Sequence, residues 1–184
     1  SSEGTFTNAL IINPKGTPTK IVVNNVTAKY GSNATFKATI YDNNGNLVTS
    51  GKVVFKLNGV TLKKGGQPIK VDVVNGVAQL TYFVKNTAKD YKLTAVFSDN
   101  KVRLEKQVTF KVIRADKYLK LDGIITTGNS AKITGKIYDE FGNLVCGNTK
   151  VTVKINGKTV LSKVAVANGT MNINLDTKNY KDGV

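Results

Sequence analysis

The chain has 184 residues with 27 Lys and Arg against 12 Asp and Glu, a formal net charge of +15, no His, no Trp and a single Cys. Without His, Ser-His and Cys-His catalysis and the ordinary zinc sites are excluded; the lone Cys146 excludes an intrachain disulfide, and no run is apolar for long enough to form a membrane-spanning helix. The positive charge is almost all Lys, with Arg only at 103 and 114, which attracts anions diffusely but lacks the planar fork that reads bases, so no specific nucleic-acid partner is expected.

Residues 1–18 read as the end strand of a preceding module plus a linker. Thr5 to Ile12 is apolar and β-prone, resembles Val108 to Ile113, and is followed by Asn13-Pro14-Lys15-Gly16-Thr17-Pro18, where Pro and Gly interrupt any regular element. An ordinary additional first strand is the alternative. From 19 to 115, alternating apolar and polar residues predict seven strands: 21–26, 34–41, 52–57, 68–74, 77–83, 91–97 and 102–113. Asn75-Gly76 makes a tight hairpin turn between the fourth and fifth. No helical period of useful length occurs, so the class is all-β, a sandwich of short strands at regular spacing.

The pattern then returns. Ile40-Tyr41-Asp42-Asn43-Asn44-Gly45-Asn46-Leu47-Val48 reappears as Ile137-Tyr138-Asp139-Glu140-Phe141-Gly142-Asn143-Leu144-Val145. Gly31-Ser32-Asn33-Ala34 matches Gly128-Asn129-Ser130-Ala131, Lys56 to Gly59 matches Lys154 to Gly157, and Val74 to Val77 matches Ala167 to Thr170. A second module therefore occupies 116–184 in tandem. It lacks a counterpart of Lys63 to Pro68, and Asn179 to Val184 reaches only the start of its sixth strand. Its last strands then lie beyond this stretch, in a continuing array or an unseen extension, or come by donation from residues 5–12 of another copy. The first two readings are preferred.

Period-two alternation points Phe36, Ala38, Ile40, Val53, Phe55, Leu57, Ala78, Leu80, Tyr82, Leu93, Ala95, Phe97, Val108, Phe110 and Val112 inward in the first module. Ile133, Gly135, Ile137, Val151, Val153, Ile155, Met171, Ile173 and Leu175 are their counterparts in the second. The same alternation places Lys56, Lys92, Thr94, Thr109 and Lys111 on an outer sheet face. Alternate lysines ordinarily keep such a face soluble and unpaired; read functionally, Lys56, Lys92 and Lys111 form a basic platform for an anionic surface polymer.

The remaining motifs favour structure over chemistry. Asp139-Glu140 is the only adjacent acidic pair, and Asn43 in the first copy means that a two-carboxylate site would not be shared. No enzyme activity, metal or cofactor is expected. Asp42 to Asn46 is rich in oxygen ligands but fails calcium-loop spacing and reads as a turn, and Lys64 to Pro68 reads as a flexible loop with no helix behind it. Cys146 replaces Thr49 at a turn. Asn25-Val26-Thr27, Asn33-Ala34-Thr35 and Asn168-Gly169-Thr170 are glycosylation acceptors at Asn25, Asn33 and Asn168 if the chain is exported. Strand 102–113 runs into the next module through Ile113-Arg114-Ala115-Asp116 with no Gly or Pro, so a short stiff joint is expected.

In Ile12 to Thr19, Val26 to Thr35, Tyr41-Asp42 through Gly45-Asn46-Leu47-Val48, and Val73 to Ala78, the chain resembles the immunoglobulin-like repeats of large bacterial and archaeal surface proteins, most nearly the adhesin-like proteins of methanogenic archaea. The resemblance covers most of 12–115 and, more loosely, 117–183. It implies display outside the cell, neighbouring modules of the same protein as partners, and attachment to surface polysaccharide or to proteins of other cells, with no catalytic motif to carry over. A stalk or spacer follows from it most directly; a carbohydrate- or wall-polymer-binding module is the alternative, against which the absence of Trp counts.

Overall fold

Burial alternates residue by residue over 33–40, 130–139, 148–155 and 170–176, which is why strands form there as the sequence places them. The computed structural model describes residues 15–180. The expectation for residues 5–12 falls outside that range, as do residues 181–184 at the expected start of the second module's sixth strand. Among the described residues the chain is all-β, and no helix is long and apolar enough to cross a membrane.

The first copy contains β1 (Pro18–Val23), β2 (Val26–Lys29), β3 (Asn33–Asp42), β4 (Lys52–Leu57), β5 (Val60–Thr61), β6 (Lys63–Lys64), β7 (Gln67–Pro68), β8 (Val71–Asp72), β9 (Val77–Phe83), β10 (Asp90–Ser98) and β11 (Arg103–Ile113). They form two larger sheets, β1-β3-β9 and β2-β11-β10-β4-β5, with β8 added beside β4, and a separate two-stranded β6-β7 sheet. Phe36, Ala38, Ile40, Val53, Phe55, Leu93, Ala95, Phe97 and Phe110 all have 1% exposure or less, as alternation requires. Phe36 meets Phe55 with ring centroids 5.9 Å apart.

The second copy contains β12 (Lys117–Thr127), β13 (Ser130–Asp139), β14 (Asn148–Ile155), β15 (Lys158–Ala167) and β16 (Thr170–Asp176). Its sheets are β12-β13-β16 and β14-β15. Ile133, Ile137, Val145, Val166, Met171 and Ile173 make its core, with Val151, Val153, Leu161 and Val164 packed against them. Asn58-Gly59, Asn75-Gly76, Asn156-Gly157 and Asn168-Gly169 each carry positive φ at both residues, the left-handed pair a two-residue hairpin turn needs.

Four local expectations are corrected. The strand expected over 21–26 is broken at Asn24-Asn25: β1 runs antiparallel to β3, whereas β2 runs parallel to β11, with Val26 opposite Phe110. The Asn25 carboxamide oxygen accepts the Thr109 N–H at 3.0 Å, so a side chain satisfies the backbone where the chain changes sheets. The strand expected over 68–74 shrinks to Val71–Asp72, paired with Lys52 and Val53. Lys64 to Pro68, expected as a loose loop, forms the β6–β7 hairpin through Gly65 and Gly66, whose φ values are 59° and 79°. Thr94, expected on an open face, is only 6% exposed. Without the hairpin insertion the second copy runs this region as one long strand, β15.

Grouped by proximity, one compact unit of the described residues holds 15–24, 36–80 and 92–108, and the other holds 25–35, 81–91 and 109–180. The second unit thus combines β12–β16 with the turn at 29–32 and the adjoining strand ends.

Candidate functional site

The repeated Asp corners are built alike. Asp42 Oδ1 accepts the N–H groups of Asn44 and Asn46 at 2.8 and 2.9 Å; Asp139 Oδ1 accepts those of Phe141 and Asn143 at 2.9 and 3.0 Å. In each, the third residue after the Asp, Gly45 or Gly142, donates its N–H to the Asp carbonyl at 3.1 Å. The carboxylate is the acceptor that folds the chain back, as the turn chemistry of Asp predicts.

The corners differ in what covers them. Asp139 is fully buried, because the turn at Lys29-Tyr30-Gly31, in the same compact unit, lies on it. The Asn143 carboxamide donates to the Gly31 carbonyl at 2.8 Å and also reaches Asp139 Oδ2 at 3.1 Å. Cys146 N–H donates to the Tyr30 hydroxyl at 3.1 Å. Lys29 Nζ stands 3.0 Å from a Glu140 oxygen, whose carboxylate also accepts the Asp116 N–H at 3.3 Å. The turn itself is held by Tyr30 N–H to the Ile113 carbonyl at 2.9 Å and Gly31 N–H to the Val84 carbonyl at 2.8 Å. Asp139 and Glu140, adjacent in sequence, therefore serve separate structural bonds. The cavity beside them holds about 210 Å³, less than the roughly 300 Å³ at which small-molecule sites begin. The arrangement ties the turn at 29–31 to the corner at 139–146 within one compact unit.

Burial pushes the Tyr30 phenol above its ordinary pKa, which keeps it a neutral acceptor for Cys146 N–H. The Glu140 carboxyl is held below its ordinary value, first by the hydrogen bond from Lys29. A depressed folded value means that the contribution is present above the unfolded pKa, about 4.3, and is lost as pH falls through the lower folded one. A carbon-detected NMR titration is expected to show Glu140 titrating below free Glu, with the Lys29 side-chain resonance moving in the same acidic step.

The structure puts Lys56 directly across from Thr94 in the β4–β10 pair. Lys92 lies two residues before Thr94 on β10, where its backbone and Asn58 exchange two hydrogen bonds. Lys111 lies on β11 opposite Thr27 of β2. Lys92 and Lys111 are exposed, whereas Lys56 is half-buried. Asn25, Asn33 and Asn168 are exposed, although the Asn25 and Asn168 oxygens are already engaged by Thr109 and Gly147 N–H groups. Sequence reasoning missed one feature: Tyr118 and Tyr138 are cross-strand partners, their rings stacked with centroids 5.5 Å apart, and Tyr118 is half exposed. Lys120 pairs with Lys136 beside them. Outward alternation of Tyr138 was legible; its partner was not, since register across two strands must be known.

No family model and no curated protein matches the chain. Among solved structures it is similar to the Yersinia pseudotuberculosis adhesin InvE, at 17% identity and a TM-score of 0.44 over 88% of this chain and 53% of that one, so that it spans about half the adhesin's length. It is also similar to the titin segment A168169, at 13% identity and a TM-score of 0.47 over 87% and 83%, and to titin M4, at 17% and 0.40 over 54% and 99%.

Proposed function

We propose that the chain is a non-enzymatic, extracellular tandem of immunoglobulin-like repeats, 19–115 and 116–184, acting as a stalk or spacer in an adhesin-like surface protein. The observation that carries this reading is the repetition of one strand-and-corner plan along the chain, with a short connection between the copies. Three side-chain contacts, from Asn143 to Gly31, Cys146 to Tyr30 and Lys29 to Glu140, clasp a turn that the backbone already fixes. The connection from Ile113 to Lys117 contains neither Gly nor Pro. A connection of that composition is expected to be short and stiff, and a spacer needs that more than it needs a pocket. The sequence resemblance to archaeal and bacterial surface repeats supplies the cellular setting, with neighbouring modules as partners.

Small-angle scattering tests it: a single narrow maximum dimension is expected, and a broad distribution typical of swivelling modules would contradict the spacer reading.

The stacked Tyr118–Tyr138 pair beside Lys120 and Lys136 favours a second reading, weak attachment to an acidic polysaccharide, because aromatic faces and ammonium groups together suit uronic sugars. Charge reversal at Lys120 and Lys136 is expected to abolish retention on an acidic-polysaccharide column, while reversal at Lys56 and Lys111 tests the platform on the other sheet. Retention unchanged in both variants would remove the attachment role.

A further inference from the structure

The outward face of the β12-β13-β16 sheet carries side chains that the strand plan does not require. Register sets the two copies side by side: Tyr118 pairs with Tyr138 where the first copy pairs Lys20 with Tyr41, and Lys120 pairs with Lys136 where it pairs Val22 with Thr39. In the first copy the arrangement satisfies itself, with the Lys20 ammonium 5.8 Å from the centre of the Tyr41 ring and a neutral pair in the next row. The second copy has instead a half-exposed, stacked tyrosine and, one row on, two lysines directly opposite each other. Cross-strand partners have Cβ atoms about 5 Å apart, and like charges so placed are destabilising. Both lysines are exposed, and neither forms an ion pair with any described residue; Asp122, two residues after Lys120, sits in the bulge between Leu121 and Gly123. The free protein thus bears a repulsion that an anion between the two ammonium groups would remove.

We propose that this face binds a uronic-acid polysaccharide over several sugars, with one carboxylate bridging Lys120 and Lys136 and the attached ring against Tyr118. The site rests on the attachment reading above and gives it a length and a direction. Two rows beyond Lys136 along β13, Lys132 is a third exposed lysine on the same face, about 13 Å away at four strand residues. Between them lie Thr134 and the exposed carboxamide of its β16 partner Asn172, polar groups that suit sugar hydroxyls. Aromatic ring, paired cations, hydroxyl with amide, and a further cation follow one another in line, which fits a linear polymer better than a single sugar. All of these residues belong to one compact unit. In the first copy, where β10 and β11 join the opposite sheet, the matching face is likewise open, with Lys20 and Lys37 exposed. Nucleic acid fits less well: no Arg occurs between 117 and 176, and the two tyrosine rings stack on each other, leaving no slot between them for a base.

NMR titration of the 184-residue chain with oligogalacturonides of defined length is the test. Affinity is expected to rise about tenfold or more from the single uronic acid to a tetramer, with amide shifts concentrated at 118–120, 132–138 and Asn172 and diminishing as salt is added. Fully methyl-esterified oligomers, which carry no carboxylate, should cause no shifts. Lys120→Val combined with Lys136→Thr, the pair found in the first copy, is expected to weaken binding about tenfold or more. The same variant is expected to raise the urea midpoint, by a margin that shrinks with salt, because the repulsion is gone; lysines with a merely structural role would lower it when replaced. Failure of every uronide to bind would overturn the attachment reading together with this site. Shifts confined to Lys56, Lys92 and Lys111 would leave attachment standing and overturn the site alone. So would a single sugar that binds as tightly as the tetramer, esterified oligomers or single-stranded DNA that shift the same residues as strongly, or a double variant that binds like the parent or loses stability.

Discussion

Phe110→Ala is expected to lower the stability of the first sandwich by about 3–5 kcal/mol, the range for emptying a buried phenylalanine site. Phe110 is fully buried on β11, a strand with neighbours on both sides. Its ring lies 6.1 Å from that of Tyr82 in an edge-on arrangement and 6.2 Å from that of Tyr91. Neither tyrosine can collapse freely into the space. The Tyr82 hydroxyl donates to Asn86 at 2.5 Å, and the Tyr91 hydroxyl donates to the Thr87 carbonyl at 2.8 Å, so both rings are held at their polar ends and the cavity persists. Urea unfolding should show the midpoint falling with little change in slope. Phe83→Ala is the control: that ring is 39% exposed, and truncation there is expected to cost under about 1 kcal/mol. Comparable losses at the two positions would refute the assignment of the inner face.

Gly31→Ala should act on both stability and the 139–146 corner. Gly31 has φ of +83°, and a Cβ placed on it would come within 2.0 Å of Asp139 Oδ2. The left-handed backbone alone costs a side-chain-bearing residue about 1–2 kcal/mol. The overlap cannot be relieved by the carboxylate, whose other oxygen already accepts from Phe141 and Asn143, nor by the turn, which Val84 holds. Separation of the turn from the corner is the remaining escape, and it breaks the Asn143–Gly31 and Cys146–Tyr30 bonds together. The expected result is a total loss of roughly 2–4 kcal/mol on adding one or two uncompensated polar contacts to the backbone term. It should be accompanied by altered amide shifts over 139–146. Gly45→Ala, at φ +79° with nothing near its added carbon, should show the backbone cost without the change at the 139–146 corner. A Gly31→Ala protein with the parent's amide shifts over 139–146 would mean that the turn does not press on that corner.

The inner faces of β3, β4, β10, β13 and β16 were legible because a strand buries every second residue, and one copy of the pattern checked the other. The Asp corners were legible because their bonds close within four residues of the Asp. The split between β1 and β2 was not, since a continuous apolar run gives no sign that its two halves pair with different strands. The Asn25 bond to Thr109 that makes the break tolerable spans 84 residues. Thr94 was misplaced for a related reason: alternation fixes a direction, while burial also depends on what lies across and above, here Lys56. The Tyr118–Tyr138 pair shows the same division, since Tyr138 could be assigned to an outer face but finding its partner required the register.

Local chemistry written into the sequence therefore settled most of the strands, the Asn-Gly hairpin turns and the repetition of one strand plan, because each depends on neighbours a few residues apart. It could not settle that one Asp corner is fully buried and its twin only half-buried. Asp42 and Asp139 make the same bonds to their own turns, yet only Asp139 lies beneath Gly31, and the lysine that engages its neighbour Glu140 is 111 positions away. That contact depends on which ends of folded elements meet, a property of the assembled surfaces that no short stretch of residues encodes alone.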